Sequence, residues 1–193
     1  MKLKRFTVVH NYRKSSLVSG AVSRVRYECR KIVPRAKVPK LGDHTTAIPP
    51  FIAHCDEMKY FSMGLNIARA LYEATRGVQS EAKTGGIYFF RNPENDALVV
   101  KVLVSNRYKK MVEKYREEIS LFADWVFPPH ENIFNPHLCI AEGAGIYEKL
   151  QPHMRRLELC VPSTHFSLPF PQIMVKVTEG DTSRWEEYDP NTP

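Results

Sequence analysis

Apolar and polar positions alternate most clearly in the middle of the chain. Apolar runs at residues 86–91 and 97–104 flank the segment 92–96, Asn-Pro-Glu-Asn-Asp, whose residue types favour turns. This pattern predicts a β-hairpin over residues 86–104. Apolar side chains then recur every three or four residues from Tyr108 to Trp125, which predicts a helix over residues 106–126 that packs on the hairpin.

Periodicity elsewhere predicts shorter elements. Apolar positions at helical spacing, followed by Gly77, predict an amphipathic helix over residues 56–76. Residues 21–33 fit both a strand and a helix, and we favour a strand because Val, Tyr and Ile are good strand formers. Four prolines and Gly42 predict an extended connector over residues 34–50. Short strands are predicted at residues 3–10, 137–142, 146–149, 157–161 and 172–177, with a tight turn at 143–145.

The order strand, helix, hairpin, helix, strand is that of the split βαβ or ferredoxin-like fold. We therefore predict an α+β protein in which two helices cover one face of an antiparallel sheet, with extra C-terminal strands and a basic N-terminal arm. The predicted division is a basic, proline-punctuated arm over residues 1–50, an α+β body over 51–178 and a flexible tail over 179–193. Trp185 and Tyr188 are candidate anchors of this tail.

Composition limits the class of protein. With 193 residues, of which 43% are hydrophobic, the chain can bury a packed core. Its apolar runs are far below the roughly 20 residues that cross a bilayer, and its start lacks the apolar stretch of a secretory signal, so we expect an intracellular protein without a membrane span. The four cysteines show no Cys-x-x-Cys pattern, and we expect reduced thiols, no metal and no cofactor.

The charge of the chain is unevenly distributed. Residues 1–40 hold twelve Lys and Arg against one acid, whereas the remaining 153 residues hold sixteen bases against twenty acids. A segment of net charge +11 on a body of −4 favours contact with the phosphates of RNA. The predicted RNA contacts are Arg13, Lys14, Arg24, Arg26, Arg30, Lys31, Arg35, Lys37 and Lys40. Because the first 27 residues contain four serines and no acid, as mitochondrial targeting regions do, a mitochondrial location is considered beside the cytoplasm.

Two histidine motifs suggest a different chemistry. His137-Leu-Cys139-Ile and His165-Phe-Ser167-Leu resemble the paired His-x-Thr/Ser motifs of the 2H phosphoesterases. The resemblance implies two histidines that act as acid and base on a cyclic phosphate and come from two halves of a duplicated fold. Cys139 stands where that family has a phosphate-binding hydroxyl, and 28 residues are a short separation for the pair. His44-Thr-Thr46 is better separated from His137, but it lies in the proline-rich connector, where we expect no strand.

The charge distribution and the absent motifs together give the functional prediction. We predict a non-enzymatic, RNA-contacting structural component of a ribonucleoprotein, of the kind found in mitochondrial-type ribosomes, with neighbouring proteins of that assembly as further partners. A protein-binding subunit of another multiprotein complex is the first alternative, and a 2H-like phosphodiesterase is the second. The aromatic residues Tyr88, Phe89 and Phe90 are assigned to the core, because the following strand lacks the pattern of an RNA-binding sheet.

Overall fold

The computed structural model describes residues 5–12, 15–38, 43–53, 69, 81–91, 95–120, 123–125, 135–169, 171–179 and 182–187. These residues form a mixed α+β protein with two antiparallel sheets. No helix among them is both long enough and apolar enough to span a membrane. Apart from residue 69, the helix predicted over residues 56–76 lies outside the described residues.

The first sheet has five strands, with the N-terminal strand in its middle. β1 (Arg5–Asn11) pairs with β2 on one side and with β8 on the other, and its residues 6–10 are all buried. The sheet order is β5-β2-β1-β8-β9. The partner strands are β2 (His44–Ala53), β5 (Ala123–Trp125), β8 (Pro171–Glu179) and β9 (Thr182–Glu187). The strands predicted at residues 3–10 and 172–177 are confirmed as β1 and β8.

The second sheet is built on the predicted hairpin. Its order is β6-β4-β3-β7, and β3 pairs with β4 through Ile87↔Val100 and Phe90↔Ala97, which confirms the hairpin over residues 86–104. The strand predicted at residues 137–142 is confirmed as β6, at one edge of this sheet. The strands are β3 (Glu81–Phe90), β4 (Asp96–Leu103), β6 (His137–Gly143) and β7 (His165–Ser167).

A long helix, α1 (Ser16–Ile32), covers one face of the four-stranded sheet. It begins where the Ser15 hydroxyl accepts a hydrogen bond from the Val18 amide, as helix N-caps do. The apolar side chains of its inner stripe are buried in the same cluster as those of β4 and β6. The strand favoured over residues 21–33 is therefore wrong, because burial of a stripe with helical spacing outweighs the weak helix propensity of its valines. The stripe is Val18, Val22, Val25 and Cys29.

The remaining helices correct three further expectations. α2 (Asn106–Ser120) begins as predicted but ends earlier, and the residues predicted as its last turn include β5, where Trp125 pairs with Phe51. Helix α3 (Ile146–Leu150) replaces a predicted strand, because Ile146 and Leu150 are buried one helical turn apart. Helix α4 (Met154–Glu158), joined to α3 by a short 3-10 segment, replaces the start of the strand predicted at 157–161.

The single ferredoxin-like sheet is not confirmed. The chain instead forms two sheets, and the predicted hairpin shares no sheet with β1, β2 or β8. Helix α2 contacts β2 and β5 of the five-stranded sheet, so the prediction that it packs on the hairpin is wrong. The physical reason is that β2, which precedes the hairpin in the chain, pairs with β1. The hairpin strands β4 and β3 pair instead with β6 and β7.

β2 lies where the sequence predicts an extended connector. Its prolines are accommodated by an irregularity of pairing: Phe6 pairs with Phe51 and Val8 with Ile48, so Pro49 and Pro50 lie opposite Thr7. The Thr7 hydroxyl donates a hydrogen bond to the Ile48 carbonyl at 2.7 Å across this bulge. A bulge tolerates proline because the residues in it need not donate to the ladder.

The basic N-terminal segment is part of the fold. β1 and α1 both come from residues 1–50, and β2 crosses the predicted boundary at residue 50. At the other end, β8 crosses the boundary at residue 178 and β9 pairs with it. Trp185 of β9 is half-buried against Val9 and Met174, whereas Tyr188 lies outside the described residues. The division into arm, body and tail stays a prediction. Strands from all three regions belong to the five-stranded sheet.

A buried histidine joins α2 to β1. His10 is 1% exposed, its Nδ1–H donates to the Pro169 carbonyl at 2.7 Å, and its Nε2 accepts a hydrogen bond from the Tyr108 hydroxyl. Burial lowers the pKa of His10 to about 4, and the bond to Pro169 opposes this only in part. The ring is therefore neutral in the folded protein at neutral pH and bridges three segments.

We predict that this histidine makes the protein less stable in mild acid. Between pH 6.5 and 4 the unfolded chain binds a proton that the folded ring, with its pKa of about 4, does not, so the free energy of unfolding falls as pH falls. From pH 7 to pH 5 the loss should be about 2 kcal/mol. Urea unfolding at both pH values measures it. His10→Gln should be less stable at pH 7 but lose less on acidification, and an equal loss in both proteins would contradict the prediction.

Candidate active site

Strands from the two sheets bring two histidines together. β2 and β6 belong to different sheets but contact each other. His44 begins β2 and His137 begins β6, and both side chains are half-buried. Two residues further along, on the same face of each strand, are the half-buried side chains of Thr46 and Cys139, with buried residues between. The arrangement is a pair of His-x-Thr/Cys motifs on neighbouring strands.

Hydrogen bonding defines the tautomer of His137. Its Nδ1 lies 2.8 Å from the Asn135 carbonyl, which can only accept, so Nδ1 carries the proton. Its Nε2 is then the ring nitrogen with a free lone pair. The ring of Phe90 packs edge-on against the imidazole, with 4.6 Å between ring centroids. His137 is thus oriented by a backbone carbonyl and an aromatic ring.

The pKa of His137 is lower than its ordinary value. Burial is the largest cause, the bond to the Asn135 carbonyl raises the pKa, and the charge of His44 lowers it. Two imidazoles that interact in this way do not readily carry a proton each. A histidine that stays neutral beside a second one is suited to accept a proton.

Cys139 remains a neutral thiol. Its pKa is raised to about 12, chiefly by burial and further by Glu142, while Arg26 acts in the opposite direction. At neutral pH the Sγ–H is therefore present as a weak hydrogen-bond donor, and no thiolate charge repels an anion. Cys29, Cys139 and Cys160 are free cysteines, whereas Cys55 lies outside the described residues. Within the described part of the chain, no three His, Cys, Asp or Glu side chains gather into a metal site.

Two further side chains share the face of His137 and Cys139. Lys101 of β4 pairs with His137 across the ladder and is exposed. Tyr88 of β3 pairs with Val99, which in turn pairs with Cys139, so all three side chains point the same way. The Tyr88 hydroxyl is buried and has no hydrogen-bond partner in the structure, and burial raises its pKa to about 12. Both Lys101 and Tyr88 can donate hydrogen bonds to an anion held on the face of the sheet that carries His137 and Cys139.

The structure does not bring His165 to this site. β7, which carries His165, and β6 are the two opposite edges of the four-stranded sheet, which places them roughly 14 Å apart at ordinary strand spacing. His165 is exposed, and its Nδ1 lies 3.9 Å from Glu81. The pairing of His137 with His165 is therefore wrong. His44 takes that place, because the segment expected to be a connector is a strand.

The predicted RNA contacts are spread over one helix and the loop after it. Arg24 and Arg30 are exposed on α1, and Arg35 and Lys37 are exposed beyond it. Lys31 is also exposed, but its Nζ lies 2.9 Å from Glu28 and 4.2 Å from the centroid of the Tyr27 ring. Arg13, Lys14 and Lys40 lie outside the described residues. As RNA contacts, these residues stay a prediction.

Arg26 differs from the other basic residues because it points into the protein. Its Nη2 donates to the Cys139 carbonyl at 2.7 Å, and its Nη1 lies 2.5 Å from a carboxylate oxygen of Asp43. The Arg26 side chain is 15% exposed and that of Asp43 is 12% exposed. In the sequence, Arg26 is one base among many. The one feature that distinguishes it there is its position beside the apolar stripe of α1.

We predict that His44 and His137 titrate as a coupled pair. Replacing His44 by Gln removes a neighbouring positive charge, so the pKa of His137 should rise towards its ordinary value. A titration of the imidazole Cε1–H signals by NMR measures the shift. His165→Gln, on the opposite edge of the sheet, should leave the pKa of His137 unchanged. Equal values in the wild type and His44→Gln would show that the rings do not interact.

Comparison with known proteins gives structural neighbours alone. No family model and no curated protein matches the sequence. The fold is similar to two structures of Kluyveromyces marxianus Usb1, one of them with uridine monophosphate. Each comparison covers 96% of this chain and 98% of the other, at 12% sequence identity and a TM-score of 0.42.

These neighbours correct the main functional prediction. The non-enzymatic component of a ribonucleoprotein, its assignment to a mitochondrial-type ribosome and the expected lack of enzyme activity are contradicted and are not kept, whereas the location of the protein stays a prediction. At this identity and TM-score the neighbours define no activity for the chain. The activity must follow from its own residues.

Proposed function

We propose that the chain is a 2H-like phosphodiesterase that acts on RNA, with His44 and His137 as its acid–base pair. The observation that carries this proposal is that β2 and β6 contact each other and each begin with a histidine, followed two residues later by a half-buried hydrogen-bond donor. The arrangement reproduces the paired motif of the 2H phosphoesterases with one departure, the thiol of Cys139. Because this thiol stays protonated, it can still donate a hydrogen bond to a phosphate oxygen.

His137 is suited to act as the base. Its lowered pKa leaves the ring neutral at neutral pH, and its Nδ1–H is bound to the Asn135 carbonyl, so Nε2 is free to take a proton from the attacking oxygen. The attacking oxygen, from a ribose 2′-hydroxyl or from water, then forms a bond to phosphorus. In this mechanism His44 acts as the acid: it enters the reaction protonated and gives its proton to the leaving oxygen as the second phosphorus–oxygen bond breaks.

Hydrogen-bond donors on both strands can hold the phosphate. Thr46 offers a hydroxyl beside His44, and Cys139 offers a thiol beside His137. Lys101 and the unpartnered hydroxyl of Tyr88 lie on the same face and can stabilise the negative charge that develops on the non-bridging oxygens. The donors thus come from three strands of one sheet and from β2 of the other.

Aromatic and basic residues near β6 support RNA as the substrate class. Phe90, 36% exposed beside His137, offers a ring on which a base can stack. The loop after α1 follows the edge of β6, since the amides and carbonyls of Lys37 and Glu142 exchange hydrogen bonds at 2.9 Å. Arg35 and Lys37 are exposed in this loop, where they can bind the phosphates of a strand that leaves the site.

We predict that both histidines are required for hydrolysis. His44→Ala and His137→Ala should each lower kcat/KM for a short oligoribonucleotide by about 100- to 10,000-fold, because each removes one proton-transfer group. Products are followed by denaturing gel and mass spectrometry. His165→Ala serves as the matched control and should retain wild-type activity. Full activity in either site variant, or none in the wild type, would refute the proposal.

We also predict the position of the acid limb of the pH–rate profile. His137 must be unprotonated to act as a base, and its pKa is lowered, so kcat/KM should stay high down to a pH below the usual histidine value of about 6.5 and fall only beneath it. Initial rates from pH 4.5 to 9 measure this limb. An acid limb above pH 7 would be inconsistent with His137 as the base.

A further inference from the structure

Arg26 connects the two strands that carry the histidines. It lies on α1, and its guanidinium reaches the Cys139 carbonyl on β6 at 2.7 Å and the Asp43 carboxylate, immediately before β2, within 2.5 Å. Cys139 is two residues after His137, and Asp43 is one residue before His44. One side chain on α1 therefore contacts the motif on β6 and the residue that precedes the motif on β2.

The contacts of Arg26 connect elements of different sheets. β6 is an edge strand of the four-stranded sheet and β2 belongs to the five-stranded sheet, so no ladder of strand pairing joins the two. One terminal nitrogen of the planar guanidinium donates to the Cys139 carbonyl while the other forms an ion pair with Asp43, a spacing that the single ammonium of a lysine does not match. The Asp43 carbonyl also accepts a hydrogen bond from the Tyr12 amide at 2.7 Å, so the start of β2 is held from two directions.

We propose that Arg26 is a positioning residue that sets the distance between His44 and His137, in an inference that rests on the proposed function. It acts through the two groups that it binds, the carbonyl of Cys139 and the carboxylate of Asp43. Without it, β2 and β6 are joined by fewer directional contacts, and the two rings no longer share a fixed separation. A displacement of about 1 Å between acid and base can lower a rate about 100-fold.

The test compares Arg26→Lys with Arg156→Lys. Arg156 is the control, because it is an arginine of α4 whose described ion pair is with the carboxylate of Glu28 on α1. We expect Arg26→Lys to lower kcat by about 10- to 100-fold with little change in KM, and Arg156→Lys to leave both unchanged. A wild-type kcat in folded Arg26→Lys would overturn the proposal. A raised KM at wild-type kcat would do the same, since it would mean that Arg26 binds substrate.

A double variant separates positioning from stability. Arg26→Met with Asp43→Leu removes the buried charge pair as a unit, which often leaves stability nearly unchanged. We expect this variant to fold, as judged by thermal unfolding, and to keep the low kcat. Recovery of wild-type kcat would overturn the proposal, because Arg26 would then serve only to neutralise Asp43.

The histidine titration gives a readout that does not need activity. If Arg26 sets the separation of the rings, the pKa of His137 in Arg26→Lys should rise towards its value in His44→Gln, measured by the same NMR signals. An unchanged pKa of His137 would overturn the proposal whatever the kinetics. If the wild type hydrolyses no RNA but the pKa moves as expected, the proposed function fails and the positioning role stands.

Discussion

The pairing of β1 with both β2 and β8 is the constraint on which the rest of the structure depends. It joins residues 5–11 to residues 44–53 on one side and to residues 171–179 on the other, so both ends of the described chain are held in one sheet. Because β1 is in the middle, its residues 6–10 are buried, and the described part of the basic segment contributes β1 and α1 to the fold. The same pairing places His44 at the start of β2, where β2 approaches β6.

The basic residues are a consequence of this arrangement as well as a clue to function. A helix packed on one side of a sheet must carry its charged residues on the other side, and Arg24, Arg30 and Lys31 occupy that outer face of α1. Arg26 is the member of the set that faces the strands, where Asp43 offsets its charge. A count of charges along the sequence cannot distinguish a base on the outer face of α1 from one that faces the strands, since both add the same charge to the total.

The parts of the fold that were predicted correctly are those with strong local signals. The sequence of the hairpin has turn-forming residues between two apolar runs, and β6 is a short apolar run. Helix α1 was missed because its valines and tyrosine favour strands, while its buried stripe becomes decisive only with a sheet to pack on. The helices α3 and α4 are too short for a period of 3.6 to be distinguished from a period of two.

The site shows the same limit. His137 was identified, and so was the resemblance of His44-Thr-Thr46 to its motif, but Pro49 and Pro50 argued against a strand there. They are accommodated because the bulge opposite Thr7 removes the need for their missing amide donors, a fact about the partner strand that no local pattern contains. Long-range pairing therefore decided both the fold and the candidate site: once β2 is a strand beside β1, the strand that begins with His44 contacts β6, the strand that begins with His137.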